Sequence, residues 1–319
     1  MSSTPFERDS ISLRLYPHNE LDASGVVGEL CGQAKLGLDS GFDGIMVSEH
    51  HGGVGGYLPN PLQMSMFILD DNASGWAAAC PLLLPLRPTA MLAEEVAWLA
   101  ARHPGRVGLG VAAGGRALDF TSMDLDPEDA VGLFKAQLPR IVDMLRGKDL
   151  AGLDEDRAFQ RCAGSPVPVV SAAASVAASK RAAGYGAGIL MEGVSPLERL
   201  AKFCAAYDAA GGTNGKILIR RVWLGQPSTE LIESQRRFYQ SSSVSGRELP
   251  PDQTVACDDA EEMANRLHGL MTGSGADSLN LRVHLPGIPA GDIREQIVRL
   301  GEEVVPKLRA LFKAQAAGS

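Results

Sequence analysis

Residues 76–112 read WAAACPLLLPLRPTAMLAEEVAWLAARHPGRVGLGVA, and the pattern changes twice within them. The run 76–84 is apolar without polar alternation, which predicts a strand buried on both faces. Residues 89–101 place Met91, Leu92, Val96 and Leu99 at helical spacing, and His103-Pro104-Gly105 ends that helix. Residues 107–112 return to a short apolar run. Strand, helix, strand at this spacing is a crossover unit, so the two strands must run parallel.

Outward from this unit the same rhythm continues. Upstream, strands are expected over 11–16 and 44–49, with helices around 24–38 and from Pro61 to about Leu69. Downstream, Asp126-Pro127-Glu128-Asp129 starts a helix that runs to Leu145, its acidic first turn complementing the helix dipole. Strands then follow over 167–171, 187–191, 216–224 and 278–285, with helices over 175–184, 195–210, 259–271 and 292–312. The stretch 225–253 is the least apolar and is expected to carry one short helix. Eight strand–helix units predict an α/β fold, a (β/α)8 TIM barrel with an insertion after strand seven, as one domain over 1–319. An open doubly wound sheet is the alternative. In a barrel, function belongs at the C-terminal ends of the strands.

Composition narrows the function classes. The chain has 319 residues, and its net charge of −8 comes with no basic cluster, which argues against a nucleic-acid partner. Its five cysteines (Cys31, Cys80, Cys162, Cys204, Cys257) are scattered and never in CxxC spacing, so a disulfide framework is not expected and a reducing, cytoplasmic setting is. Pro, Arg and Gly interrupt every apolar run before it reaches 18 residues, so no membrane-spanning helix is expected. The polar start MSSTPFERDS is not read as a secretory signal.

The strand ends supply the chemistry. Strand two runs into Ser48-Glu49-His50-His51, a carboxylate and two imidazoles suited to proton transfer near neutral pH. Glu49 and His51 are expected on one face and His50 on the other. No metal site is expected, because the six histidines show no ligand spacing. Cys80-Pro81 interrupts strand three, which fits a strand end or a bulge. Strand four runs into GLGVAAGG at 108–115, whose GxGxxxG spacing departs from the dinucleotide fingerprint but lets a flat ligand approach the backbone. Ser175 reads either as a plain helix N-cap or as part of a phosphate cradle. One member of Arg220-Arg221 must face the barrel, where either a protein carboxylate or a ligand phosphate would pair with it.

Taken together, GFDGIMVSEHHGGVGGYLPNP (41–61), LLLPLRPTAMLAEEVAWLAARHPGRVGLGVAAG (82–114), PVPVVSAAASVAASKRAA (166–183) and the tail from GADSLNLRVHLPG resemble the bacterial luciferase-like flavin-dependent monooxygenases. The resemblance covers most of 10–310 and is weakest over 223–256. It implies a two-component enzyme. A separate flavin reductase supplies reduced FMN, which reacts with O2 to a C4a-(hydro)peroxyflavin that oxidises a small organic substrate. It further implies catalytic roles for His50 and Glu49, a cis bond at Cys80-Pro81 beside the flavin ring, and a flavin-phosphate segment at Ala174-Ser175. Ala113, Gly114 and Met191 complete the expected cofactor-binding set. Ala113 departs from the family, some members of which carry a phosphate-binding arginine there. Phosphate binding would then fall to backbone N–H groups, Ser175, Arg116 or a strand-seven arginine. Alternatives on the same barrel are an F420-dependent oxidoreductase and a catalytically silent flavin-binding subunit. Residues 52–60 and 225–253 are the candidate lids. A homodimer through the helix bearing Met64, Met66 and Phe67 is implied. Trp76, Tyr57, Phe120 and Trp223 are candidate lining residues, though packing is the favoured reading of each.

Overall fold

The computed structural model describes residues 4–52, 57–242 and 251–317. In chain order the first half comprises β1 (Ile11–Arg14), α1 (Ala23–Asp39), β2 (Gly44–Val47), α2 (Pro61–Asp71), β3 (Trp76–Leu83), α3 (Thr89–Arg102), β4 (Val107–Ala112), the short α4 (Ala117–Thr121), α5 (Ala130–Met144) and α6 (Arg157–Gly164). The second half comprises β5 (Val169–Ala172), α7 (Val176–Gly184), β6 (Gly188–Met191), α8 (Leu197–Ala209), β7 (Lys216–Leu224), α9 (Thr229–Ser242), β8 (Val255–Cys257), α10 (Ala260–Ser274), β9 (Ser278–Arg282), α11 (Ala290–Arg299) and α12 (Val305–Ala317).

Strands β1 to β7 pair in sequence order, all parallel, and β9 closes the ring by pairing with both β7 and β1. Eight strands thus form a TIM barrel, and the open-sheet alternative falls. β8 stands outside the ring, extending the far half of β7 through Val222↔Val255 to Leu224↔Cys257. It belongs to the insertion after β7, as does α9. α9 is longer than the one short helix expected, because its sequence is polar except for a narrow stripe from which Ile232 is buried. β8 is three residues long and exists only through its pairing with β7. Two further helices were not expected. α4 occupies the mixed segment after β4, and α6 lies between α5 and β5. The last helix is interrupted by a π turn over Leu300–Val304.

The barrel interior is filled by Phe6, Met46, Trp76, Ala78, Cys80, Val170, Leu190 and Ile217, with the larger shell lying between strands and helices. Trp76 fits because Gly44 opposes it, where an added Cβ would lie 2.0 Å from the indole. The register between β3 and β4 slips between Ala79 and Leu82, at the cis Cys80-Pro81 bond. A proline has no N–H for the ladder, so an irregularity is where a central strand can hold one. Above this layer Arg14 crosses the interior, its Nε donating to Asn280 Oδ1 at 2.6 Å and its Nη1 to the Cys80 carbonyl at 2.8 Å. Among the described residues no helix is long and apolar enough to cross a membrane.

Candidate active site

A cavity of about 460 Å³ opens at the C-terminal ends of the barrel strands. That volume suits a small-molecule or cofactor site. Seven of the eight barrel strands contribute residues to it, from Arg14 on β1 round to Arg282 on β9, and β2 contributes through Ser48, Glu49 and His50 just past its end.

His50, just past β2, lines the cavity with its side chain 20% exposed. Its Nδ1 lies 2.7 Å from Oδ2 of Asp119, a fully buried carboxylate at the middle of α4. The other Asp119 oxygen accepts the His51 N–H at 2.8 Å. Burial pushes the Asp119 carboxyl up, but the hydrogen bonds from His50 and from the His51 N–H, with the nearby charges of His50 and Arg116, outweigh it and hold the group below the usual carboxylate range. An ionised carboxylate only accepts, so Nδ1 carries the hydrogen and Nε2 is the nitrogen left for a ligand. The His50 ring also meets Tyr57 edge-on, with centroids 4.3 Å apart. Asp119 was missed at the level of sequence because α4 itself was missed. Its distance of 69 positions from His50 carries no motif.

Glu49 borders the cavity too, yet its carboxylate is committed. It accepts the Leu83 N–H at 2.6 Å, pairs with Arg87 at 2.7 Å, and lies 2.9 Å from His51 Nε2. Both oxygens are therefore taken, and the carboxylate ties the end of β2 to β3 and to the segment before α3. The shared face expected for Glu49 and His51 accounts for their contact.

Beside His50, on the next strands round the ring, lies a ledge of small residues. Pro81, Ala113, Gly114 and Ala174 line the cavity. Gly114 has φ +86, and a Cβ there would strike the Phe120 ring, so the chain can pass this point only without a side chain. Cys80 is fully buried beneath the ledge in the barrel core. Burial pushes its thiol up to about 11 against the weaker pull of Arg14, so it stays protonated at neutral pH. Its contribution is its carbonyl, held by Arg14, rather than its sulfur. Met191 is corrected. It is buried in the outer shell, where the Cys204 thiol points at its sulfur, because alternation along β6 turns Leu190 to the cavity and Met191 to α8. Ser175 sits at the same barrel end as His50 and caps α7, accepting the Ala178 N–H at 3.2 Å, and it is exposed beside the cavity rather than lining it.

Arg221 is the strand-seven arginine that faces the cavity; it contacts Gln235 and lies 3.5 Å from Asp252. Arg220 is buried on the other side, donating to the carbonyls of Gly193, Gln253 and Ser195, and burial lowers it to about 10. Of the four candidate aromatic residues, only Tyr57 lines the cavity, whereas Trp76 and Phe120 are core. Residues 53–56 and 243–250 of the two candidate lids lie outside the described residues. In the implied dimer helix, Met64 is turned inward and Met66 outward.

A family model described as luciferase-like monooxygenase matches residues 12–278. The chain belongs to the luciferase-like monooxygenase family. No curated protein sequence matches it. Several solved structures share the fold. Monooxygenase RslO1 from Streptomyces bottropensis is 17% identical with a TM-score of 0.74, over 93% of this chain and 99% of that one. The oxygenating constituent of 3,6-diketocamphane monooxygenase from the CAM plasmid of Pseudomonas putida, solved with FMN, is 15% identical with a TM-score of 0.71, over 95% and 98%. An F420-dependent secondary alcohol dehydrogenase in complex with an F420-acetone adduct is 17% identical with a TM-score of 0.71, over 95% and 99%. At these identities the likeness is one of fold.

Proposed function

We propose that this luciferase-like oxidoreductase is the oxygenating component of a two-component system, taking reduced FMN from a separate reductase and using O2 to oxidise a small organic substrate. The observation that carries the reading is the juxtaposition, in one cavity, of an imidazole oriented by a buried carboxylate and a ledge of Pro81, Ala113, Gly114 and Ala174. The residues fit a flavin. The ledge takes a flat ring close to the backbone, and its rim meets the N-terminus of α7, where N–H groups favour a phosphate. Arg199 of α8 stands where the phosphate partner was left open. It donates to the Ala174 carbonyl at 2.7 Å, and its Nε is buried with no hydrogen-bond partner. Arg199 and the first turn of α7 would hold the phosphate in place of the arginine absent at Ala113.

Bound reduced flavin would supply the electrons that activate oxygen. His50 then holds or moves a proton at Nε2, and Asp119 keeps that nitrogen aimed by fixing Nδ1–H. Glu49, through Arg87 and the Leu83 N–H, keeps the β2 and β3 ends in register beneath the site. Tyr57 covers the imidazole and limits water. The enzyme is proposed to work as a cytoplasmic homodimer.

Anaerobic titration with reduced FMN and with reduced F420 tests the reading. Tight binding of FMN is expected, and binding of the deazaflavin alone overturns it in favour of hydride transfer without oxygen. After O2 is admitted, His50→Ala is expected to slow the flavin absorbance transient by about 10²–10⁴-fold; unchanged stopped-flow traces would remove His50 from the chemistry.

A further inference from the structure

The corner of the cavity where β1 meets β2 holds two hydroxyl groups that the mechanism above leaves unused. The strands pair as Arg14↔Met46, and the Leu15 N–H donates to the Met46 carbonyl at 3.0 Å, which carries the pairing past the end of β1. Side chains alternate along a strand, so two residues further on Tyr16 and Ser48 turn inward side by side, on backbones about 4.8 Å apart. Both border the cavity, and they are 4% and 5% exposed. Among the described residues nothing hydrogen-bonds the buried Ser48 hydroxyl. A buried hydroxyl without a partner is costly, which points to a polar group that arrives with the ligand.

Tyr16 is the complementary half. Its oxygen accepts a hydrogen bond from Arg14, and a guanidinium only donates, so the phenol keeps its own hydrogen for another acceptor. The ring is fixed by its neighbours. His284 stacks on it with centroids 5.4 Å apart, Arg282 lies 4.3 Å from its centroid, and Tyr57 meets it edge-on at 5.2 Å. Tyr16 is also a resident gauge of how a phenol behaves at this corner. Burial raises it, but Arg282, Arg14 and Arg221 prevail and leave it below its ordinary value. His284 is pushed far below the usual imidazole range by burial and then by Arg282, His18 and Arg221, so the ring against Tyr16 is neutral. Beyond the corner, Pro81, Leu83, Leu190 and Ile219 offer apolar surface to an aromatic ring.

We propose that the substrate is a phenol, its oxygen held between the Tyr16 and Ser48 hydroxyls and its ring laid toward the ledge. Tyr16 donates to that oxygen. Ser48 donates as well when the phenol is ionised, and accepts the phenol's own hydrogen when it is not. The proposal rests on the flavin reading for what oxidises the bound phenol, whereas the two hydroxyls that select it belong to the protein alone.

The test is calorimetric titration of the whole protein with 4-nitrophenol and with 4-nitrotoluene, in which a methyl group of similar size replaces the hydroxyl. 4-Nitrophenol is expected to bind at least about tenfold more tightly. Ser48→Ala and Tyr16→Phe are each expected to weaken 4-nitrophenol about tenfold and to leave 4-nitrotoluene within about twofold, with circular dichroism checking that both variants fold. Equal affinity of the two probes in the unaltered protein, or no binding of 4-nitrophenol, overturns the proposal without any variant. A preference that survives both substitutions overturns it too, as does an equal loss for both probes, which would mark the hydroxyls as packing. Repeating the titration with reduced FMN bound separates the two readings. If FMN displaces 4-nitrophenol, the hydroxyls serve the cofactor and the substrate proposal falls. If 4-nitrophenol binds but neither FMN nor F420 does, the phenol site stands and the flavin reading falls.

Discussion

Asp119 is the side chain on which the imidazole depends. Its folded-state acidity is enhanced, so the stability it contributes is present at neutral pH and is lost as the pH falls through its depressed value. Asp119→Asn should lower stability at pH 7 by about 1–3 kcal/mol, because the His51 N–H and the His50 ring both lose a charged acceptor. The difference from the unaltered protein should shrink on acidification, which urea midpoints at several pH values would show. The same variant should slow the oxidation step by about 10–100-fold, as loss of an orienting partner typically does. The affinity for reduced FMN should stay within a few-fold, and a loss confined to flavin affinity would show that Asp119 merely shapes the pocket. Serving two backbone-adjacent groups from one carboxylate explains why α4, only five residues long, is anchored here at all.

The contact between β3 and β4 is what sets the ledge. Gly110 faces Cys80, and a Cβ at Gly110 would lie 2.1 Å from the thiol sulfur. Gly110→Ala must therefore shift one strand against the other, at a cost of about 1–3 kcal/mol. Because Pro81 and Ala112 of the same two strands border the cavity, reduced-FMN affinity should weaken in parallel. Gly132→Ala in α5 is the control, since nothing lies within 4 Å of a Cβ there. It should raise stability by about 0.5–1 kcal/mol through helix propensity. Thermal melts of the two variants that move in the same direction would refute the packing argument. The strand positions and most helices were legible because apolar period reports burial, which here follows a regular parallel architecture. The polar α9 and the three-residue β8 were not, because each is stabilised by what it docks against rather than by its own pattern.

The whole barrel is closed by β9, and its last helices are tied back to its beginning by Arg294 with Glu29 and by Arg309 with Asp43 at 2.8 Å. Burial raises the Glu29 carboxyl, but hydrogen bonds from Arg294 and Gln33 prevail and leave it below its usual range. His284 works in the opposite charge sense to the same end: it is held neutral, so the unfolded chain takes up a proton below about pH 6.5 that the folded one refuses. Stability should accordingly begin to fall as the pH drops below about 6.5, and fall further once Glu29 and Asp119 protonate. His284→Phe keeps the ring against Tyr16 and should remove the first part of the decline, leaving the carboxylate part. A urea midpoint that stays flat from pH 7 to 5 in the unaltered protein would refute the assignment to His284.

Local pattern was enough to announce eight strand–helix units, the rim on which chemistry would lie, and His50 with the small-residue ledge, because burial periodicity and the glycine, proline and histidine positions are written in consecutive residues. What it could not announce was pairing across the ring. Asp119 meets His50, Arg87 satisfies Glu49, Arg199 reaches the Ala174 carbonyl, and Arg14 joins Arg282 on one wall only once the strands have closed. Each of these contacts joins segments tens to hundreds of positions apart, and a side chain's partner, unlike its periodicity, exists only where the folded backbone brings the two together.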